Sequence, residues 1–165
     1  MVLGRILRHL CTTSLHIRNR FPQSTLDAIE QAVGASEVLH SGEIRFAIEA
    51  ALDFPPLLHG VTSRQRALDV FSLLRVWNTE HNSGVLIYLL LKDRKVEIVA
   101  DHGIAAKVDQ SEWEFVCRGM ERAFSAGDFK AGALAGIQDI STLLARYFPA
   151  DARNPNELIN RPQIL

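Results

Sequence analysis

The stretch Gly84 to Asp101, GVLIYLLLKDRKVEIVAD, predicts a β-hairpin with a turn at the KDR segment. Its first arm, Val85 to Leu91, is an unbroken apolar run, which is typical of a strand covered on both faces. The second arm alternates, with one face formed by Val96, Ile98 and Ala100 and the other by Glu97 and Val99. Alternation is typical of a strand nearer an edge, so we expect the first arm in the middle of the sheet.

Length, composition and charge bound the class of protein. The chain has 165 residues, of which 47% are hydrophobic and 22% are charged. These values fit a single compact domain with one core. The formal net charge is -1 and the isoelectric point is about 6.6, whereas a chain built to bind nucleic acid usually carries a basic surplus. We therefore expect no nucleic-acid partner.

Cysteine usage and hydropathy predict a cytoplasmic protein. The only cysteines, Cys11 and Cys117, are far apart in the sequence, and Cys117 lies in an apolar helical stripe that predicts an inert core thiol. The sequence contains no apolar run of about 18 residues and no secretory signal pattern at its N-terminus. We expect a cytoplasmic protein, which could also contact the inner face of the membrane peripherally.

Residues 1–20 form a basic segment, here called the arm. It contains four arginines, and the first acidic residue of the chain comes only after it. Helical spacing predicts a short amphipathic helix over residues 2–10, in which Arg5 and Arg8 flank a stripe formed by Leu3, Ile6, Leu7 and Leu10. Two interpretations remain open: the helix docks on the domain, or it contacts anionic lipid or a partner.

Residues 21–149 are predicted to form the folded domain, which begins with a helix and a strand. Ser24 starts a Ser-x-x-Asp pattern typical of a helix N-terminus, and the apolar spacing extends this helix to about Leu39. Residues 43–52 then alternate almost perfectly, which predicts a strand with one apolar face and one mixed face.

A second helix is expected between this strand and the hairpin, from a Thr62 or Ser63 cap to Trp77. A strand, a helix and a strand in this order form a βαβ unit, whose strands are parallel, and the hairpin then adds an antiparallel strand to make a mixed sheet. Two further helices follow, the second with Asp128 as its cap, and residues 150–165 are expected to form an extended tail.

Several motifs resemble the TPM domain family. They are WNTEHNSGVLI at Trp77 to Ile87, DRKVEI at Asp93 to Ile98, Gly103-Ile104 and Gly127-Asp128-Phe129. The resemblance spans about residues 24–148 and implies a three-layer α/β/α sandwich around a small mixed β-sheet. This α/β fold class agrees with the βαβ unit and hairpin predicted from the residues themselves.

The resemblance implies little specific chemistry. Some members of the family hydrolyse phosphate monoesters or bind calcium, and most have no assigned activity. Many members carry the pattern Gly-x-Gly-Leu-Glu after the third strand, whereas this chain reads Asp101-His-Gly-Ile-Ala105. The glutamate of that family pattern is therefore an alanine here.

The predicted sheet brings polar residues to one end. Antiparallel pairing places the loop before Gly84 and the loop after Asp101 together, and parallel pairing brings the entry to the first strand there too. The residues expected at this end are His40, Glu43, Glu80, His81, Asp101 and His102. Such carboxylates and imidazoles could bind calcium or a transition metal, with Glu80 and Asp101 as first candidates and His81 and His102 next. The alternative is that all six are solvated loop residues.

Three more charged residues, Arg45, Glu49 and Glu97, lie on the polar faces of the predicted strands. They could line a cleft, but charges on an exposed strand face are usually solvated, so we expect these three side chains to be solvated.

Two functions remain open. The first is a non-enzymatic accessory domain that binds a protein partner, with the arm at a membrane surface. The second is a divalent-metal-dependent hydrolase of phosphate monoesters that uses the loops around Glu80 and Asp101.

Overall fold

The computed structural model describes residues 15–53, 56, 57, 59–150 and 155–165. The helices are α1 (Leu15–Arg20), α2 (Gln23–Ser36), α3 (Ser63–Leu73), α4 (His102–Ala105), α5 (Gln110–Ala126) and α6 (Phe129–Tyr147). The strands are β1 (Glu43–Glu49), β2 (Gly84–Leu90), β3 (Lys95–Ala100) and β4 (Gln163–Ile164).

The strands form one mixed sheet in the order β3-β2-β1-β4. β1 and β2 are parallel, with Glu43 opposite Gly84, and β2 and β3 form the antiparallel hairpin. These pairings confirm the predicted βαβ unit and hairpin. β4 pairs in parallel with β1 over the two residues Gln163 and Ile164, so the tail supplies a fourth strand that sequence patterns did not establish.

Helices cover both faces of the sheet. On one face, α2, α5 and α6 enclose the larger core, which includes Phe46, Ile87 and Ile98 from the three long strands. On the other face, α3 packs on a smaller core around Leu86 and Tyr88. The result is a three-layer α/β/α sandwich, as expected.

Three helix boundaries differ from the prediction, since α2 also ends at Ser36 and not at about Leu39. α2 begins at Gln23 with Pro22 in the N-cap position, so Ser24 lies inside the helix and is not its cap. α3 begins as expected, because Thr62 forms a capping box with Gln65, but it ends at Leu73. The prediction that this helix continues to Trp77 was wrong.

The last two long helices form a packed hairpin. Asp109 is the N-cap of α5, and its side chain accepts the N–H of Ser111; Gly127 is the C-cap, with a left-handed φ of 92°. Asp128 occupies the N-cap position of α6, as predicted, but its side chain makes no capping hydrogen bond.

The predicted amphipathic helix of the arm lies outside the described residues and stays a prediction. The described part of the arm is α1, which leads into the core through the buried side chains of Ile17 and Phe21. None of the helices in the described ranges is long and apolar enough to cross a membrane.

Candidate functional site at the end of the sheet

The backbone brings three of the segments named above to one end of the sheet. The N–H of Glu43 donates to the carbonyl of Ser83 at 3.0 Å, and the N–H of Asp101 donates to the carbonyl of Gly84 at 2.8 Å. The start of β1, the start of β2 and the end of β3 are therefore direct neighbours. This shared end is the candidate site.

Two glycines allow the loops at this end to approach each other closely. A Cβ atom on Gly84 would lie 1.9 Å from the backbone oxygen of Val76, and one on Gly103 would lie 2.7 Å from the backbone oxygen of Asn82. No other residue fits at either position without a backbone shift. The loop before β2 is thereby held against both β2 and α4.

Asp101 is a buried acidic group of the predicted site, with 7% of its surface exposed. Its Oδ1 atom accepts the N–H of His102 at 2.7 Å and lies 2.9 Å from Nδ1 of the same residue. Its Oδ2 atom is buried without a hydrogen-bond partner, and so is the Oγ atom of Ser83. The imidazole of His102 is 77% exposed. Asp101 therefore offers one oxygen that is desolvated and unbonded.

Glu80 and His81 are exposed on the loop before β2. The backbone N–H of Glu80 donates to the carboxylate of Glu157, which ties this loop to the tail. Among the described residues, no group of three or more His, Cys, Asp or Glu side chains could hold a metal ion. The structure thus joins Asp101 with His102 but does not assemble a metal-binding group from the predicted residues as they stand.

Glu43 and His40 are buried, and each makes a polar contact with backbone groups. The Oε2 atom of Glu43 accepts the backbone N–H groups of Glu157 and Leu158, at 3.1 and 3.0 Å. Burial raises the pKa of Glu43. The Nδ1 atom of His40 lies 2.9 Å from the carbonyl oxygen of Gly42, and desolvation lowers the pKa of the imidazole.

A buried carboxylate that the sequence did not reveal lies next to Glu43. Glu37 follows α2, and its Oε1 atom accepts the N–H of Ile44 at 3.0 Å. Desolvation, assisted by the nearby charge of Glu43, raises the pKa of Glu37 to about 7, and Asn160 of the tail is a hydrogen-bond partner. No motif marks Glu37, because its burial depends on the tail and on β1.

The expectation that Arg45 and Glu49 are solvated was wrong. The guanidinium of Arg45 donates to the carbonyl oxygens of Ile159 and Arg161. Glu49 accepts from Arg66 of α3 and from the hydroxyl of Tyr88. Because β1 runs parallel to a strand that is apolar on both faces, it is itself covered on both faces. The apolar run of β2 was therefore the sequence signal that Arg45 and Glu49 would be buried.

Cys117 agrees with the predicted inert thiol. It is half-buried on α5, and desolvation raises the pKa of its thiol to about 12. Cys117 is therefore protonated at neutral pH.

A surface groove lies between α5 and α6, away from the end of the sheet. It has a volume of about 380 Å³ and is lined by Phe115, Val116 and Leu143 together with Glu112, Asp139 and Arg146. The side chain of Phe115 is 63% exposed. No sequence motif marked this groove, because the apolar periodicity of the two helices identifies chiefly the side chains that face the core.

The element order, the mixed sheet and the two helical layers define the class of the protein as a three-layer α/β/α sandwich. A family model for the TPM domain matches residues 18–143, and the chain belongs to the TPM domain family. A comparison with curated proteins gives no match.

Among solved structures, the NMR structure of the BA42 protein from the psychrophilic bacterium Bizionia argentinensis is similar to this chain. The two sequences are 32% identical, and the TM-score is 0.76. The similarity covers 86% of this chain and 93% of that chain. The shared region therefore includes nearly all of the elements described above.

Proposed function

We propose that the chain is a non-enzymatic accessory domain that binds a protein partner in the groove between α5 and α6. The observation that carries this proposal is the exposed aromatic ring of Phe115 beside apolar groove walls. An exposed apolar groove with a charged rim fits an amphipathic helix that inserts an apolar side chain. Glu112 is paired with Arg146 at 3.7 Å, so the carboxylate of Asp139 is the acidic group of the rim that favours a helix with a basic flank.

A charge placed in the groove tests this proposal. Phe115→Asp should weaken binding of the partner by about 30-fold or more, since buried aromatic anchors dominate such interfaces. Leu73→Asp is a matched control, because Leu73 is 64% exposed on α3 outside the groove. The measurement is quantitative mass spectrometry of proteins retained by each immobilised full-length variant, followed by titration with the purified partner. Equal retention by wild type and Phe115→Asp would overturn the proposal.

The proposal assigns a second contact, to anionic lipid, to the arm. Arg18 and Arg20 are exposed on α1, and they extend the basic run of Arg5 and Arg8. The test removes residues 1–14 only, since Ile17 is part of the core. Sedimentation with vesicles that contain phosphatidylglycerol should show binding by the full chain and little by the shortened one. Equal binding by both chains would contradict the role of the arm.

A divalent-metal-dependent hydrolase of phosphate monoesters is the second candidate, and the unbonded Oδ2 atom of Asp101 favours it. A desolvated carboxylate oxygen is a strong ligand for a hard cation, and His102 or His81 would suit a transition metal. A bound cation would supply Lewis-acid stabilisation of a phosphate ester. In this chain, Asp101 would hold the cation, and the buried hydroxyl of Ser83 belongs to the residue just before β2.

An NMR titration with calcium, magnesium, manganese and zinc separates the two candidates. Saturable shifts confined to residues 40–43, 78–83 and 101–106, lost in Asp101→Asn, would support the hydrolase and justify a screen of phosphate esters. Asp109→Asn is the control, since Asp109 also caps a helix but lies elsewhere. Flat spectra up to millimolar metal would rule out the metal-dependent enzyme and leave the binding domain.

A further inference from the structure

Segment 155–165, here called the tail segment, is held against β1 chiefly through its backbone. At its start, the carboxylate of Glu43 accepts the N–H groups of Glu157 and Leu158. Further along, Arg45 donates to the carbonyls of Ile159 and Arg161. The two side chains on β1 are 2% and 6% exposed. Glu43 therefore binds backbone donors, and Arg45 binds backbone acceptors further along the same extended peptide.

The end of the tail segment completes this recognition as a strand. Ala47 is opposite Gln163 and Ile48 is opposite Ile164, and the N–H of Leu165 donates to the carbonyl of Ile48 at 3.0 Å. The side chains of Leu158 and Leu165 pack against the smaller core. This combination of ladder bonds and side-chain contacts is how sheet edges bind extended peptides in trans.

We propose that the edge of β1 is a peptide-binding groove, and that two copies of this chain exchange their tail segments through it. The occupant is fixed by the contacts themselves, because the groove is complementary to residues 157–165 of this sequence. A second copy carries the same residues and can make every one of these contacts. Residues 151–154, outside the described ranges, connect Ala150 to the tail segment in each copy.

Exchange has a thermodynamic signature that an ordinary surface dimer lacks. The exchanged dimer and the monomer contain the same contacts, so a substitution in the groove destabilises both equally. Arg45→Met should therefore speed the exchange of tail segments and leave the final fraction of dimer unchanged. An attached segment has an effective concentration of the order of millimolar, so about half of the chains should exchange near that protein concentration.

A disulfide that forms only between copies provides the test. Ala47→Cys is made in one chain and Gln163→Cys in another, both with Cys11→Ser and Cys117→Ser. Neighbouring strands lie about 4.8 Å apart, within the range that a disulfide spans. Mixing the two variants near 1 mM, a concentration of the order set by the attached segment, should give covalent dimers of unlike chains. Arg45→Met should form them at least several-fold faster.

The control carries both cysteines in one chain and should close internally as a monomer at micromolar concentration. If that control closes and the mixture gives no covalent dimer, the proposal is overturned. If the control forms no internal disulfide, the mass of the wild-type chain, measured by sedimentation, tests the exchange instead. A mass that doubles between micromolar and millimolar protein, with the same dimer fraction in Arg45→Met, supports exchange. A monomer at every concentration, or a dimer weakened by Arg45→Met, refutes it.

Discussion

The two sides of the sheet are closed in different ways. Along β3, side chains from helices bind the outward backbone groups: Glu121 of α5 accepts the N–H of Val96, and Arg64 of α3 donates to the carbonyl of Ile98. Along β1, the direction is reversed, since Glu43 and Arg45 on the strand bind the backbone of the tail segment. The β3 edge is blocked, and the β1 edge is occupied.

This difference separates protection from recognition. Exposed strand edges invite pairing with other chains, and side chains that bind the edge prevent it. Glu121 is on α5 and Arg64 is on α3, and both helices pack against β3 from opposite layers. Exposing the β3 edge would therefore require unfolding of these layers. The tail segment contains no helix and contributes only the partly buried side chains of Leu158 and Leu165 to the smaller core, so fewer core contacts hold it at the β1 edge.

The largest effect is expected where the β1 edge is broken. Arg45→Ala removes the donor that serves two carbonyls of the tail segment, and it should lower the free energy of unfolding by about 3 kcal/mol. Urea denaturation of wild type and variant measures this loss. A loss below about 1 kcal/mol would show that the contacts of Arg45 with the tail segment contribute little.

A pH dependence of intermediate size is expected from Glu37. Its pKa is raised from 4.5 to about 7 in the folded state, so its stabilising contribution is complete below pH 4.5 and is lost as the pH rises through 7. The loss is at most about 3 kcal/mol. Glu37→Gln, which keeps an acceptor for Ile44, should remove this decline.

The measurement is the difference in unfolding free energy between wild type and Glu37→Gln from pH 4.5 to 8. Subtraction matters because His40, whose pKa is lowered, contributes an opposite slope as the pH rises to 6.5. Parallel pH profiles for the two proteins would mean that Glu37 titrates normally in the folded chain.

The smallest effect is expected at the β3 edge. Arg64 is 43% exposed on its side chain, and its ion pair with Glu97 is long, at 3.9 Å. Arg64→Ala should therefore cost about 0.5 to 1 kcal/mol by urea denaturation. A loss as large as that for Arg45→Ala would erase the distinction between the two edges.

Sequence patterns predicted the centre of the fold because its signals are local. The apolar run Val85 to Leu91 and the alternation of the next strand identify the hairpin from adjacent residues alone. The tail strand could not be found this way. Residues 155–165 contain two prolines and no regular alternation, and their partners on β1 lie more than 110 positions earlier.

The candidate site was predicted only in part for the same reason. Strand pairing alone placed Glu43, Gly84 and Asp101 together, and the structure agrees. The backbone groups that Glu43 and Arg45 bind belong to the tail segment, so these partners had no local signal. Neither did the burial of Glu37.

The distance along the chain between β1 and its last partner also sets an order of events during synthesis. Arg45 and Arg161 are 116 positions apart. At about 5 to 20 residues per second, a ribosome needs roughly 6 to 20 seconds to make the chain between them. In the later part of that interval, after β2 has been made, a nascent β1 still lacks β4, and its charged edge is open to an extended peptide nearby.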